Sequence, residues 1–128
     1  MSANWKPESH NSVSVYIMVD GAQRLIDFLK QTFDAVPVRR FDSPDGKIKH
    51  AEVRIADTVV MLADAIEGYP AFPVWLHAYV PDVGATYRKA LAAGGVSVQE
   101  PAQRPGDPDR RGGVKDPAGN TWWISTQI

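Results

Sequence analysis

The chain has 128 residues, a formal net charge of −1 and no cysteine. That length fits one domain over residues 1–128, large enough to bury a core. The near-zero charge offers no electrostatic case for nucleic acid or an anionic membrane surface, and the lack of thiols excludes a disulfide scaffold and any thiolate metal site.

No apolar run reaches membrane-spanning length, and the N-terminus lacks a charged-then-apolar signal pattern, so the expected place is the cytoplasm. Residues 1–12 are polar and aperiodic and read as a loose arm, in which His10 is expected to be solvated. Residues 13–19 alternate with period two and predict a strand. A helix follows over 21–33, with Asp20 as the expected N-cap and Leu25, Ile26, Leu29 and Phe33 at helical spacing. A second strand is expected at 36–41, ending in the turn Ser43-Pro44-Asp45-Gly46. Residues 47–55 alternate again, and Ala56-Asp57 marks a hairpin tip leading into a strand over 58–63. This first module, about 13–64, is β-α-β-β-β.

Residues 65–73 carry Gly68, Pro70 and Pro73 and read as a linker. The second module, about 74–126, repeats the order. It runs as a strand at 74–80, a helix over 82–93 begun by Asp82 and stopped by Gly94-Gly95, and a short strand at 96–99. A Pro-rich charged loop is expected over 101–109, then strands at 111–115 and 120–126 about the turn Asp116-Pro117-Ala118-Gly119.

The opening strand of each module has one aliphatic face and one mixed, partly aromatic face. Ser14, Tyr16 and Met18 share the mixed face in the first module, and Trp75, His77 and Tyr79 in the second. The expected fold is therefore α+β: two tandem βαβββ modules forming curled mixed sheets around a cleft, with helices on the outer face. The cleft is the default place for a small-molecule ligand.

Several segments together carry a resemblance: Tyr16-Ile17-Met18-Val19-Asp20-Gly21, Leu25-Ile26-Asp27-Phe28-Leu29, His50-Ala51-Glu52-Val53-Arg54-Ile55, Tyr79-Val80-Pro81-Asp82, and Asp116-Pro117-Ala118-Gly119-Asn120 before Trp122-Trp123. In that order, over about 13–126, the chain resembles the vicinal oxygen chelate superfamily, which holds glyoxalase I, bleomycin-resistance proteins and extradiol dioxygenases. The glyoxalase-like branch is the most similar. The resemblance implies paired modules and a homodimer with clefts at or near the subunit interface. In metal-dependent members it also implies a divalent ion on four ligands, one from the first and one from the last strand of each module. Those positions fall here on Ser14, Met61, Trp75 and Trp123. None is a ligand for a first-row divalent ion, which takes imidazole, carboxylate or thiolate. The expectation is no metal and no cofactor, with these four residues forming an aromatic, polarisable floor. Bleomycin-resistance proteins supply the precedent of this fold sequestering an aromatic ligand without a metal.

His50, Glu52 and Arg54 alternate on one strand face. A two-residue tip at Ala56-Asp57 sets Glu52 opposite Met61, beside the position a metal would take. Glu52 and His50 are then the catalytic candidates, with the Glu52 pKa raised if the lining is dry, and Arg54 a carboxylate clamp for a ligand. A strand ladder in which Glu52 pairs with Arg39 or Arg54 is the alternative. His77 and Tyr79 complete the ligand-facing set with Tyr16, and a displaced metal site on His50, Glu52 and His77 is a further possibility. Two functions stay open: a sequestering protein for a small planar or hydrophobic molecule, or a glyoxalase-like lyase, isomerase or dioxygenase-type enzyme using Glu52 and His50, with or without such a site.

Overall fold

The structure is a computed structural model that describes residues 4–128. The elements run β1 (Tyr16–Val19), α1 (Ala22–Phe33), β2 (Val36–Asp42), β3 (Ile48–Ile55), β4 (Thr58–Asp64), β5 (Trp75–Tyr79), α2 (Val83–Ala92), β6 (Val96–Gln103), β7 (Asp109–Lys115) and β8 (Thr121–Gln127). They form two four-stranded mixed sheets, ordered β1-β4-β3-β2 and β5-β8-β7-β6. In each, the opening strand lies parallel to the last strand of its module and the other pairs are antiparallel. The chain is α+β, as its periodicity predicts.

The aliphatic faces meet in one core. Ile17, Leu62 and Val53 of the first sheet, Val114, Trp122 and Ile124 of the second, and Leu25, Phe28, Leu29 and Tyr87 of the helices belong to one buried cluster. Each fully buried side chain of this size stabilises the fold by about 1.5–3 kcal/mol. The helices pack on each other as well as on their own sheets. Phe33 meets Trp122 with ring centroids 4.9 Å apart, and Lys89 of α2 pairs with Asp34 at the end of α1. Among the described residues, no hydrogen bond or ring contact joins the mixed face of one sheet to that of the other.

Three local expectations are corrected. Asp20 does not cap α1: Gly21 holds the N-cap position at φ 85° with no side-chain cap, and Asp64 at the end of β4 accepts from the Ala22 amide instead, at 2.8 Å. The other oxygen of Asp64 accepts from the Ile48 amide at 2.8 Å, so one carboxylate serves a helix start and a strand start. Secondly, β6 runs through Pro101 to Gln103, and the connection to β7 is shorter than a 101–109 loop. Both β2 and β6 are edge strands, where a missing N–H costs no ladder bond, and register shifts at Pro37/Arg39 and from Ser97 to Ala102 absorb Pro37 and Pro101. Thirdly, β1 starts at Tyr16 and leaves Val13 exposed, although the Val15 carbonyl still accepts from the Met61 amide. Asp82 does cap α2, accepting from the Ala85 amide at 3.1 Å.

Candidate functional site

The β3–β4 hairpin has the register that a two-residue tip requires, with Glu52 opposite Met61 and Arg54 opposite Val59. Tyr16 lies beside Met61 on the other side, in the parallel β1–β4 pair. Strand pairing thus brings Tyr16, Met61 and Glu52 into one row on the mixed face of the first sheet. His50 lies one inward position along β3, across from Phe41 of β2.

Glu52 is 2 % exposed and receives three donors. Oε1 accepts from His10 Nε2 at 2.6 Å and from Arg39 Nε at 2.9 Å, and Oε2 accepts from His50 Nε2 at 2.7 Å. Burial alone would raise its pKa, but the hydrogen bonds from His50, Arg39 and His10 outweigh it and hold the group at about 2. This is the reverse of the upward shift that a dry aromatic lining would give. An ionised carboxylate only accepts, so the proton positions follow. Both Nε2 atoms carry hydrogen; His50 Nδ1 lies 2.8 Å from the Tyr16 hydroxyl and His10 Nδ1 3.0 Å from the Ser9 hydroxyl. The Tyr16 pKa is raised by burial and by the Glu52 charge, which keeps the phenol a donor.

His10 is the residue that local pattern reasoning missed. It is buried rather than solvated, and the Lys6 ammonium reaches its carbonyl at 2.9 Å. Nothing periodic marks it, because its partner is 42 positions away. The available signal was indirect: a carboxylate predicted to face inward on β3 needs more positive partners than Arg39 supplies. Arg54, by contrast, does not reach Glu52 and has no side-chain partner among the described residues.

The second sheet carries the other candidates. Trp75 is 76 % exposed and meets Trp123 edge-on, with ring centroids 5.4 Å apart. The Trp123 indole N–H is buried and has no acceptor among the described residues. His77 Nε2 is 2.9 Å from Ser125 Oγ and its ring lies against Tyr79. The Tyr79 hydroxyl donates to Asp109 at 2.6 Å, a bond that raises its pKa. Arg111 donates to Ser125, Asp107 and Asp109, so the charged loop expected over 101–109 ends in a hydrogen-bonded network with Asp109 buried in it. Ser14, half-buried, precedes β1.

Register also explains a difference between the modules. Glu52 faces Met61 in the first, and Gly113 faces Trp123 in the second. A Cβ on Gly113 would lie 2.7 Å from Trp123 Cζ3 and 2.8 Å from Cε3, so the indole lies on the glycine where the first module has its acid. Gly113→Ala is expected to cost about 1–3 kcal/mol by overpacking and to push the indole outward. Near-ultraviolet circular dichroism checks this; an unchanged tryptophan signal at wild-type stability would contradict it.

The positions to which the resemblance assigns metal ligands hold Ser14, Met61, Trp75 and Trp123, and among the described residues no three His, Asp or Glu side chains are grouped so as to hold a metal ion. His77 is engaged on the second sheet, away from His50 and Glu52. Ser14, Met61, Trp75 and Trp123 offer no imidazole, carboxylate or thiolate and do not fit a divalent ion.

The family model for the Glyoxalase/Bleomycin resistance protein/Dioxygenase superfamily matches residues 11–124. The uncharacterized protein Mb0911c of Mycobacterium bovis is 35% identical over 139 residues, spanning 100% of this chain and 88% of its own length. Among solved structures, TioX from Micromonospora sp. ML1 superposes with TM-score 0.77 at 22% identity, covering 92% of this chain and 99% of its own. A glyoxalase I variant from Zea mays superposes with TM-score 0.73 at 21% identity, covering 88% of this chain and 45% of its own. At these identities the two structures speak for the fold alone.

Proposed function

Since the chain belongs to the Glyoxalase/Bleomycin resistance protein/Dioxygenase superfamily, we propose that it is a metal-free small-molecule-binding protein that sequesters a planar or hydrophobic ligand against the aromatic face of its second sheet. The observation that carries this is the Trp75–Trp123 pair. A large, three-quarters exposed indole stands edge-on to a second one whose N–H lacks an acceptor. Exposed aromatic surface of this kind is a binding feature more than a stabilising one. His77 and Tyr79 extend this surface on the second sheet; Tyr16 and Met61, with Ser14 beside them, are the ligand-facing residues of the first, where the Arg54 guanidinium, without a side-chain partner among the described residues, suits a ligand carboxylate.

A cytoplasmic homodimer is part of this reading. The helices join the two modules of one chain, while among the described residues no hydrogen bond or ring contact joins the mixed faces, so a second copy would complete each cleft. Among the described residues no helix is long and apolar enough to cross a membrane.

Titration with acridine, a planar ring system, tests the reading through tryptophan quenching. Trp75→Ala is expected to weaken binding about tenfold, the loss of one ring partner plus its buried area. Equal affinity in the variant would overturn the assignment of the site.

A second reading rests on the Tyr16–His50–Glu52 line. Glu52 is too acidic to serve as a base, but it orients His50, whose Nδ1 can take the Tyr16 proton while the phenol oxygen takes one from a substrate. Glu52→Gln separates the two: a binder keeps its ligand affinity, whereas an enzyme of this kind loses turnover.

A further inference from the structure

A cavity of about 430 Å³ opens on the first sheet, away from the tryptophan pair. Its apolar walls are Tyr16, Met18, Ile48, Ala63, Ile66 and Tyr69. Two of these come from the segment between the modules, which is a built element rather than a slack linker. Ile66 and Tyr69 exchange both backbone hydrogen bonds, at 3.2 and 2.9 Å, around a turn in which Gly68 sits at φ 87°. That turn holds an aliphatic and an aromatic side chain at the cavity mouth.

The charges there are unequal. Lys47, Lys49 and Asp64 line the cavity. Both Asp64 oxygens are already used by the Ala22 and Ile48 amides. Lys47 has only a long 3.4 Å contact to the Ala65 carbonyl, and Lys49 has no partner among the described residues. Two ammonium groups against one committed carboxylate leave a single positive charge in excess.

The other sheet shows what closure looks like. Register makes Tyr79 and Ser125 the counterparts of Met18 and Ala63. There the polar pair is tied into the Asp109–Arg111 network. In the first sheet the same end is lined by Met18 and Ala63 and stays open.

We propose that this cavity is a second binding site, for an amphiphilic monoanion: an apolar or aromatic body against Met18, Ile48, Ala63, Ile66 and Tyr69, and one carboxylate held by Lys47 and Lys49. The volume is in the range of small-molecule sites, and the pairing of apolar lining with a few convergent polar groups is what such sites require. The site stands apart from the tryptophan pair, shares Tyr16 with the wider ligand-facing surface proposed above, and does not depend on that pair.

The test is amide-resolved NMR of the full chain titrated with naphthalene-2-carboxylate and, separately, with its uncharged carboxamide. The carboxylate is expected to shift the amides of Ala63, Asp64, Ile66 and Tyr69 and to bind about five- to tenfold tighter than the carboxamide, the range two partly exposed ion pairs can supply. The double variant Lys47→Gln/Lys49→Gln, on exposed side chains of which only Lys47 makes a contact, the long one to the Ala65 carbonyl, is expected to bind both compounds equally. Equal affinity of the two compounds for the wild type, no saturable shift, or shifts confined to β5 and β8 would overturn the proposal. The last pattern would leave the tryptophan platform standing, and a cavity response without one at Trp75 and Trp123 would do the reverse.

Discussion

Glu52→Ala is expected to lower the unfolding free energy by about 3–5 kcal/mol, the cost of removing one partner from a buried ionic cluster. Three donors converge on this carboxylate, from the arm, from β2 and from β3 itself. Without it, His10 and His50 keep buried or half-buried N–H groups with nothing to accept from them, at about 1–3 kcal/mol for each group left unsatisfied. The pH dependence follows with a definite sign. Glu52 titrates at about 2 in the folded chain against an ordinary 4.5. Its folded value is the lower one, so its contribution is complete above about pH 4.5 and is lost as pH falls from there to about 2, with an amplitude of about 3 kcal/mol. Urea unfolding across that window, beside Glu52→Gln, is the measurement. The wild type should lose stability on acidification more steeply than the variant. Parallel curves would show that another acid is responsible.

The same variant bears on the arm. His10 reaches Glu52 from a segment outside both sheets, so its burial depends on the charge it meets. Amide exchange over residues 6–10 should accelerate in Glu52→Gln while the β3–β4 amides stay protected. Loss of protection throughout the hairpin would mean that Glu52 holds the sheet rather than the arm.

How much of this was legible in the sequence can be stated by residue. Period-two alternation separated an aliphatic face from a mixed one on β1 and β3, and Ile17, Val19, Ala51 and Val53 are buried accordingly. The two-residue tip at Ala56-Asp57 leaves the hairpin no freedom of register, so Glu52 against Met61 followed from counting alone. Asp82 was readable because its partner is three residues away. Asp64 was not, because it caps a helix 42 positions earlier, and no local pattern distinguishes it from Asp20. The extension of β6 through Pro101 was hidden for a related reason. Whether a proline interrupts a strand depends on whether that strand is at an edge, and edge position is a property of the sheet. The pKa direction of Glu52 failed on the same ground. Burial was foreseen, but the sign was decided by two histidines and an arginine, one of them from the arm.

Asp116→Ala should have a comparable cost, about 3–5 kcal/mol, with consequences for the proposed platform. Asp116 is 4 % exposed and acts as an acceptor hub. Oδ1 accepts from the Ala118 and Asn120 amides, at 2.8 and 3.1 Å. Oδ2 accepts from Asn120 Nδ2 at 3.1 Å and from Trp122 Nε1 at 2.9 Å. The turn it organises needs Gly119 at φ 91°, a conformation that side chains with Cβ rarely adopt. Alanine would strand the indole N–H of Trp122 inside the shared core, where its ring meets Phe33. The effect then travels along one identifiable route. Asn120, oriented by Asp116, accepts from the Val74 amide at 3.0 Å, immediately before Trp75. Freeing Asn120 therefore loosens the entry to β5 as well as the turn. Two readouts separate these consequences. Denaturant unfolding should show the lost stability as a lower midpoint with an unchanged slope. Acridine affinity, measured where the variant is still fully folded, should also fall, because Trp75 is no longer held at its start. A variant that loses stability but binds acridine like the wild type would show that β8 alone, through its Thr121-to-Trp75 pairing, positions the platform.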